Sequence, residues 1–253
     1  MEKKVYIMEM SQPEVEALLK ENDQVIIPNG SIEQHGPHLP MGTDYINGFN
    51  AAKKIAEKTN SLLVPFSPIG FSPYHSHWKG SLTIGSNTFI NYFQDICESL
   101  IEHGARKFVI LIGHEGNIAP VTLGATNIQM KYKDVRFYVI CWWVVAEQLF
   151  PGRMKAYHAG RQETVGVMAY NPKLVDTSKA TNPSPIEHAD KMHEVFRFVG
   201  ARPVLRDFRE VAETGWYGHP ETVTEEESIE IIDKTTDRIV ELIKEEFNRK
   251  LPE

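Results

Sequence analysis

Cysteine is scarce in this sequence: Cys97 and Cys141 are the only two, and they form no CxxC pair. A disulfide framework and a cysteine-rich zinc site are therefore excluded, because both need several cysteines at short spacings. Each cysteine lies in an apolar stretch, which predicts two buried free thiols in a reducing cytosol. A G-x-S-x-G motif is also absent, so the sequence indicates neither a serine nor a cysteine nucleophile.

Long apolar runs and basic clusters are missing as well. No run approaches the roughly 18 apolar residues of a membrane helix. The apolar stretch near the N-terminus is broken at Glu9, which makes it too short for a signal peptide. No basic run is longer than Lys53-Lys54, and the formal net charge is -7. Because a nucleic-acid surface needs clustered Lys and Arg, we expect a cytoplasmic protein with neither a membrane nor a nucleic-acid partner.

What remains is an ordinary globular composition, with 253 residues of which 42% are hydrophobic. No internal repeat, low-complexity tract or long linker interrupts it, so we predict a single domain over 1–253. Runs typical of buried strands occur at 25–28, 62–65, 107–112 and 135–145, and helical patterns occur at 43–59, 87–104, 120–131, 163–169 and 224–251. This alternation predicts an α/β fold with a mostly parallel sheet.

Three unusual segments, 29–44, 113–117 and 157–164, follow predicted strands. Ligands of parallel α/β sheets bind at the carboxyl ends of the strands. The shared position therefore predicts that the three segments form one site.

The first segment is the densest, because it places Glu33, His35, His38 and Asp44 within twelve positions. Counted from Pro28, it contains three glycines and three prolines, which determine the course of its backbone. Two carboxylates and an imidazole suit zinc, manganese or iron. Taken alone the pattern is weak, because loop carboxylates and histidines usually hydrogen-bond the turn, and Asp44 is also placed to cap the next helix.

The other two segments each add a histidine close to a carboxylate. His114 directly follows a buried strand and is predicted to point into the cleft, although it is equally placed to cap the following helix. His158 and Glu163 flank a glycine turn, where the alternatives are a surface histidine and a first-turn carboxylate that the helix dipole favours. Together, five ligands with one bridging carboxylate support two metal ions about 3.5–4 Å apart, which predicts a metal-dependent hydrolase.

These residues resemble the creatininase (creatinine amidohydrolase) family. Positions 30–44 match every fixed position of its signature loop, G-S-x-E-Q-H-G-P-H-L-P-x-G-T-D. The resemblance continues through 79–83, His114 with Asn117, 158–164 and 215–220, and so covers nearly the whole chain.

The resemblance implies a three-layer α/β/α sandwich, a homohexamer, and two divalent metal ions per chain, either zinc, manganese or iron. It implies hydrolysis of a C–N bond in a small cyclic amide such as creatinine. Glu33, Asp44 and His114 would hold one metal. His35, Asp44 and a further carboxylate would hold the other, with Asp44 bridging. His158 would carry a proton to the leaving nitrogen, a role suited to imidazole near neutral pH.

The sequence departs from the family pattern at several positions. Gly116 stands where creatinine-cleaving members carry a metal-binding glutamate, so we assign the fifth ligand to Glu163, with Glu115 as the alternative. Glu163 is thus expected to act in catalysis together with His158. Arg161 replaces a frequent glutamate and is expected to change the charge of the pocket, and Lys79 replaces a usual proline.

The substrate is open. A formamide deformylase of pterin or flavin biosynthesis and a non-catalytic metal-binding scaffold are the alternatives, whereas a nucleotide-binding enzyme lacks its glycine-rich phosphate loop. Creatininases stack their substrate on tryptophans, and this chain has Trp78, Trp142, Trp143 and Trp216. Adjacent strand residues face opposite ways, so at most one of Trp142 and Trp143 is expected in the pocket. Otherwise these side chains are core or interface aromatics.

Overall fold

The computed structural model describes residues 4–185, 204–220 and 223–250. Four strands form one parallel sheet in the order β2-β1-β3-β4, and they are β1 (Gln24–Asn29), β2 (Leu62–Leu63), β3 (Lys107–Ile112) and β4 (Arg136–Cys141). The central pair, β1 and β3, is in register from Gln24 opposite Lys107 to Asn29 opposite Ile112. Both strands therefore end at the same edge of the sheet.

Seven α-helices occur in the described residues. They are α1 (Gln12–Glu21), α2 (Thr43–Thr59), α3 (Ser86–Glu102), α4 (Ile118–Lys131), α5 (Trp142–Leu149), α6 (Arg161–Tyr170) and α7 (Glu225–Asn248). The prediction for α2 is confirmed at both ends, and α3, α4 and α6 differ from theirs by one or two residues. The predicted end of α7 at Leu251 lies outside the described residues. At its start, the Thr224 hydroxyl accepts the backbone N–H of Glu227, as the capping-box spacing predicts.

Two elements differ from the sequence-based expectation. The predicted strand 135–145 ends at Cys141, and the chain turns there into α5. Both elements are apolar, so the hydrophobic pattern has no break at the boundary. Helix α1 was not predicted, because it buries only Leu18 and Leu19. Its start is nevertheless marked by a capping box in which Ser11 and Glu14 bond each other's backbone.

The sheet separates two hydrophobic cores. Val109 and Leu111 of β3 face one core, which also contains residues of α2, α5, α6 and α7. Phe108 and Ile110 of the same strand face the other core, which contains residues of α1, α3 and α4. Because alternate residues of a strand point to opposite faces, the sheet is covered by helices on both sides. The predicted three-layer α/β/α architecture is confirmed.

Both cysteines are free thiols, as expected, although only Cys97 is fully buried and Cys141 is half-buried at the end of β4. Burial raises the pKa of the Cys141 thiol to about 12, so it stays protonated near neutral pH. Within the described ranges, no helix combines the length and the apolar character of a membrane span.

Candidate metal centre

The predicted site lies at the edge where β1 and β3 end. The loop after β1 carries Glu33 and His35, the first turn of α2 carries Asp44, and His114 follows β3. Close approach of the two connections requires glycine at Gly113, where a Cβ atom would lie 2.4 Å from the carbonyl oxygen of Asp44. The third predicted segment does not directly follow a strand, because α5 and a loop separate it from β4.

Asp44 faces two histidines with its two oxygens. Its Oδ1 lies 3.0 Å from His35 Nε2, and its Oδ2 lies 3.1 Å from His114 Nδ1. The carboxylate is buried, and the N-cap residue of α2 is Gly42, so Asp44 lies inside the first turn. The alternative role as a helix cap is therefore wrong, and Asp44 is shared between two groups of ligand-type atoms.

The first group consists of Glu33, Asp44 and His114, and the second of His35, Asp44 and Glu163. In each group the candidate ligand atoms lie within 4.8 Å of one another. Glu33 Oε2 is 3.3 Å from His114 Nδ1, and Glu163 Oε2 is 3.4 Å from His35 Nε2. Glu115, the alternative fifth ligand, is exposed and belongs to neither group.

Backbone carbonyls fix the orientation of both histidines. His114 Nε2 lies 3.2 Å from the carbonyl of Phe71, and His35 Nδ1 lies 3.0 Å from the carbonyl of Glu33. A carbonyl only accepts, so these nitrogens carry hydrogen, and in the neutral rings the other nitrogen directs its lone pair at carboxylate oxygens. Such lone pairs repel one another unless a cation lies between them, and metal-binding histidines have this arrangement.

Without a bound cation, the carboxylates hold protons on both rings. Burial lowers the pKa of His35 and His114, but the carboxylates around them outweigh it and raise the values to about 10 and about 9, so a bound cation would replace one proton on each ring. Burial also raises the pKa of Glu33, and that of Glu163 to about 8. Asp44 Oδ2 is buried and accepts no hydrogen bond from a described residue. The donor set therefore fits divalent cations, which would supply the positive charge that the carboxylates attract.

His158 adjoins the two groups and itself forms a third group with Glu33 and His35. Its Nδ1 lies 3.9 Å from Glu33 Oε1. Its Nε2 lies 2.8 Å from the carbonyl oxygen of Gln34, which assigns the hydrogen to Nε2 and leaves Nδ1 as the acceptor on the cluster side. Burial lowers the pKa of His158 well below its ordinary value, so the ring is neutral near pH 7. The alternative of a surface histidine is wrong.

The turn that carries His158 is held at Ala159, whose φ of 53° lies in the left-handed region. His38 Nε2 contacts the Ala159 carbonyl at 2.9 Å, and the Ala159 N–H donates to Glu163 Oε2 at 2.6 Å. Glu163 lies in the first turn of α6, as the alternative of a first-turn carboxylate favoured by the helix dipole expects. Its carboxylate also reaches His35. His38 thus joins the first segment to the third.

Several site residues were not predicted. Ser72 donates its hydroxyl to Glu33 Oε2, and His75 Nε2 lies 3.2 Å from Glu33 Oε1. Tyr74 and Phe208 line the adjoining cleft. These residues come from loops without hydrophobic periodicity, and the only local signal was the presence of His75 and His77 within the polar segment 67–85.

A cleft of about 220 Å³ opens onto the cluster. Five aromatic side chains contribute to its walls, and they are Tyr74, Trp143, Tyr157, Phe208 and Tyr217. Trp143 lines the cleft while Trp142 is buried in the core, so one of the pair reaches the pocket, as expected, although both lie on α5 and not on a strand. No lysine or arginine is among the described lining residues.

Arg161, which was expected to change the charge of the pocket, lies outside the lining of this cleft. Its guanidinium turns toward α7, where Nη2 lies 2.5 Å from Glu227 Oε2. Arg161 is not among the described residues that line the cleft. Trp78 and Trp216 do not line it either, and Trp216 packs against His38 with ring centroids 4.7 Å apart.

The chain is similar to known proteins in both sequence and fold. The sequence model of the creatininase family, described as creatinine amidohydrolase, matches residues 8–243. A creatinine amidohydrolase of Pseudomonas putida is 27% identical over 267 residues, covering 98% of this chain and 99% of that protein.

A second relative differs in the substrate it is named for. The 3-dehydro-scyllo-inosose hydrolase of Thermotoga maritima is 27% identical over 231 residues, covering 85% of this chain and 69% of that protein. Among solved structures, creatininase with Mn superposes with a TM-score of 0.81 at 25% identity, covering 98% of this chain and 100% of that one.

Proposed function

The chain belongs to the creatininase family, and from this premise we propose that it is a two-metal amidohydrolase that cleaves a C–N bond of a small, creatinine-like cyclic amide. The observation that carries the proposal is Asp44, whose two oxygens face His35 and His114 at 3.0 and 3.1 Å. A carboxylate shared in this way is what a bridged pair of metal ions requires.

In this proposal Glu33, Asp44 and His114 hold one ion, and His35, Asp44 and Glu163 hold the other. Zinc and manganese suit these donors, and iron is also compatible with them. When bound, two such ions polarise the amide carbonyl and acidify the attacking water. Glu163 also accepts the Ala159 N–H, so the same carboxylate helps to hold the turn that carries His158.

His158 moves the proton. Its Nδ1 carries no hydrogen in the neutral ring and lies on the cluster side, where it takes a proton from the attacking water. The protonated ring then gives this proton to the leaving nitrogen. The Gln34 carbonyl holds Nε2–H throughout, so the same nitrogen accepts and donates.

The cleft favours a small and flat substrate. Its volume of about 220 Å³ lies below the roughly 300 Å³ at which ordinary ligand pockets begin. Aromatic walls suit a planar ring. The described lining contains no lysine or arginine that would bind a phosphate. The small volume favours a creatinine-like amide over a larger formamide intermediate of pterin or flavin biosynthesis, and the similarity to a creatinine amidohydrolase supports the same choice.

The proposal includes the assembly and location expected from the sequence. We infer a cytoplasmic homohexamer whose partner is its small-molecule substrate, with no nucleic acid or membrane involved. A non-catalytic scaffold is disfavoured because His158 and an open cleft adjoin the candidate ligands.

The test is creatine release from creatinine by the purified chain supplied with Mn²⁺ or Zn²⁺. Turnover that disappears in Asp44→Asn and persists in Asp95→Asn, an exposed carboxylate of α3, supports the proposal. Bound metal without creatinine turnover moves the substrate to formamides and other cyclic amides. Bound metal without turnover of any amide contradicts the hydrolase and favours the scaffold.

A further inference from the structure

His75 is a buried imidazole that neither the candidate metal ligands nor the proton transfer at His158 explains. It belongs to a short 3₁₀ turn, Pro73–His75, in the loop between β2 and α3. Its Nε2 lies 3.2 Å from Glu33 Oε1, and its Nδ1 lies 3.2 Å from Gln34 Nε2. The ring packs against both Phe208 and His158, with centroid distances of 4.4 and 4.7 Å.

The amide of Gln34 determines which nitrogen of His75 carries hydrogen. Gln34 Nε2 has two hydrogens, and it faces His75 Nδ1 and the carbonyl oxygen of Gly215. The oxygen and nitrogen of the amide cannot be exchanged. In the present orientation Oε1 accepts the N–H of Gly36 at 3.2 Å, and in the flipped orientation Oε1 would face the carbonyl oxygen of Gly215. His158 Nε2 is also close, at 2.9 Å, but it already donates to the Gln34 carbonyl.

Each hydrogen then has one acceptor. The two amide hydrogens of Gln34 go to Gly215 and to His75 Nδ1. The hydrogen of His75 is consequently on Nε2, where its acceptor is Glu33 Oε1. The other oxygen of the carboxylate, Oε2, accepts the Ser72 hydroxyl and lies 3.3 Å from His114 Nδ1.

We propose that His75 is a positioning residue for Glu33: its Nε2–H holds Oε1, so that Oε2 is the oxygen presented to the metal beside His114 and Asp44. The inference rests on the proposed function, because it concerns a ligand of the proposed metal pair. Hydrogen-bond partners of a metal ligand fix its orientation and raise the metal affinity of its site.

The proposal predicts an effect confined to one of the two metal sites. Loss of the His75 hydrogen bond weakens the site formed by Glu33, Asp44 and His114. The site formed by His35, Asp44 and Glu163 has no contact with His75 among the described residues and keeps its affinity.

The experiment measures Mn²⁺ affinity by calorimetry in a background with a single site. Glu163→Gln removes a ligand of the second site while its amide oxygen still accepts the Ala159 N–H. In this background we compare His75→Leu, which has no donor, with His75→Gln, whose amide nitrogen takes the place of Nε2. His103→Gln, at the exposed end of α3, is the control for loss of a histidine. Circular dichroism of each variant monitors folding.

We expect His75→Leu to weaken Mn²⁺ binding about 10- to 100-fold, and His75→Gln to recover most of that loss. Unchanged affinity in His75→Leu overturns the proposal. An equal loss in a folded His75→Gln also overturns it, because ring packing and not the donor would then matter. If the chain without any substitution binds no divalent ion, the proposed function itself fails, and this outcome is distinct from the other two.

Discussion

The buried carboxylate of Asp44 lies between two histidines. Its Oδ1 faces His35 and its Oδ2 faces His114, and each histidine donates its other ring N–H to a backbone carbonyl. Neutral rings would direct bare nitrogens at carboxylate oxygens, so the arrangement needs positive charge between them. Protons on the rings supply this charge without metal, and divalent cations would supply it when bound.

Replacing His114 and His158 separately should distinguish binding from proton transfer. His114→Ala removes a ligand atom, so we expect loss of metal and of turnover together. His158→Ala leaves both groups of ligands intact, so we expect metal content to remain and turnover to fall about 10²- to 10⁴-fold, the contribution typical of general acid–base catalysis. Metal analysis and steady-state rates on the same samples measure both.

Two results would contradict these assignments. A His158→Ala variant that turns over the true substrate at the full rate would make the proton-transfer assignment wrong. A His114→Ala variant that keeps two ions would remove His114 from the ligand set. His103→Gln again serves as the control, because His103 is exposed at the end of α3.

Much of this site was predictable at the level of residues. Glu33, His35, Asp44 and His114 were selected because they follow strands, and the structure brings them together with Glu163 and His158. Their roles as ligands stay predictions. His75 and Ser72 were missed because they reach Glu33 from a long loop, and no sequence spacing encodes that approach.

Among the elements, strand pairing explains why the first two segments meet. β1 and β3 are adjacent and in register, so Asn29 and Ile112 end side by side and their connections share one edge. The third segment, 157–164, does not follow a strand directly. β4 is followed by α5 and a loop, and α6 begins beside the cluster. Its location was predicted correctly, although it was attributed to a strand end that is not there.

Helices α2 and α6 approach closely at Gly166. A Cβ atom there would lie 2.4 Å from Asn47 Oδ1 and 2.5 Å from its Cγ. Asn47 Nδ2 also donates to the carbonyl of Glu163 at 3.1 Å, which ties the contact to the second proposed metal site. The absence of a side chain at Gly166 therefore sets the position of Glu163 relative to α2.

We expect Gly166→Ala to separate the two helices. The extra methyl group should lower the free energy of unfolding by about 1–3 kcal/mol, the usual cost of overpacking, and it should weaken metal binding at the His35–Asp44–Glu163 site. Urea unfolding in chelator measures the first effect, and Mn²⁺ titration measures the second. Gly85→Ser is the control, because a Cβ there meets only Thr88 Oγ1 at 3.9 Å and serine is a good residue at the start of a helix. Unchanged stability in Gly166→Ala would show that Asn47 can move aside.

At the scale of the whole molecule, the layers of the fold were predicted more accurately than the boundaries of its strands and helices. Continuous apolar runs such as 107–112 are long enough to fill both faces of a central strand, and they define the two cores. The same continuity concealed the change from β4 to α5, where apolar residues continue through a change of structure. The prediction of a single domain over 1–253 stays a prediction.

The whole fold places two buried carboxylates, the partly buried Glu163 and two histidines at one edge of the sheet, open to a small cleft with aromatic side chains. Burying several carboxylates together is costly unless cations compensate them. A site of this composition is therefore expected to be most stable with its ions bound, and ligand binding to the folded state should raise the stability of the chain.

The number of ions bound per chain tests the account most directly. The protein is treated with a chelator, dialysed to equilibrium against Mn²⁺ and analysed for metal and protein. We predict two ions per chain, one in Glu163→Gln, and severe loss of both in Asp44→Asn, because both sites share that carboxylate. Fewer than two ions in the unaltered chain, or two in a folded Asp44→Asn, would contradict the bridged two-metal site.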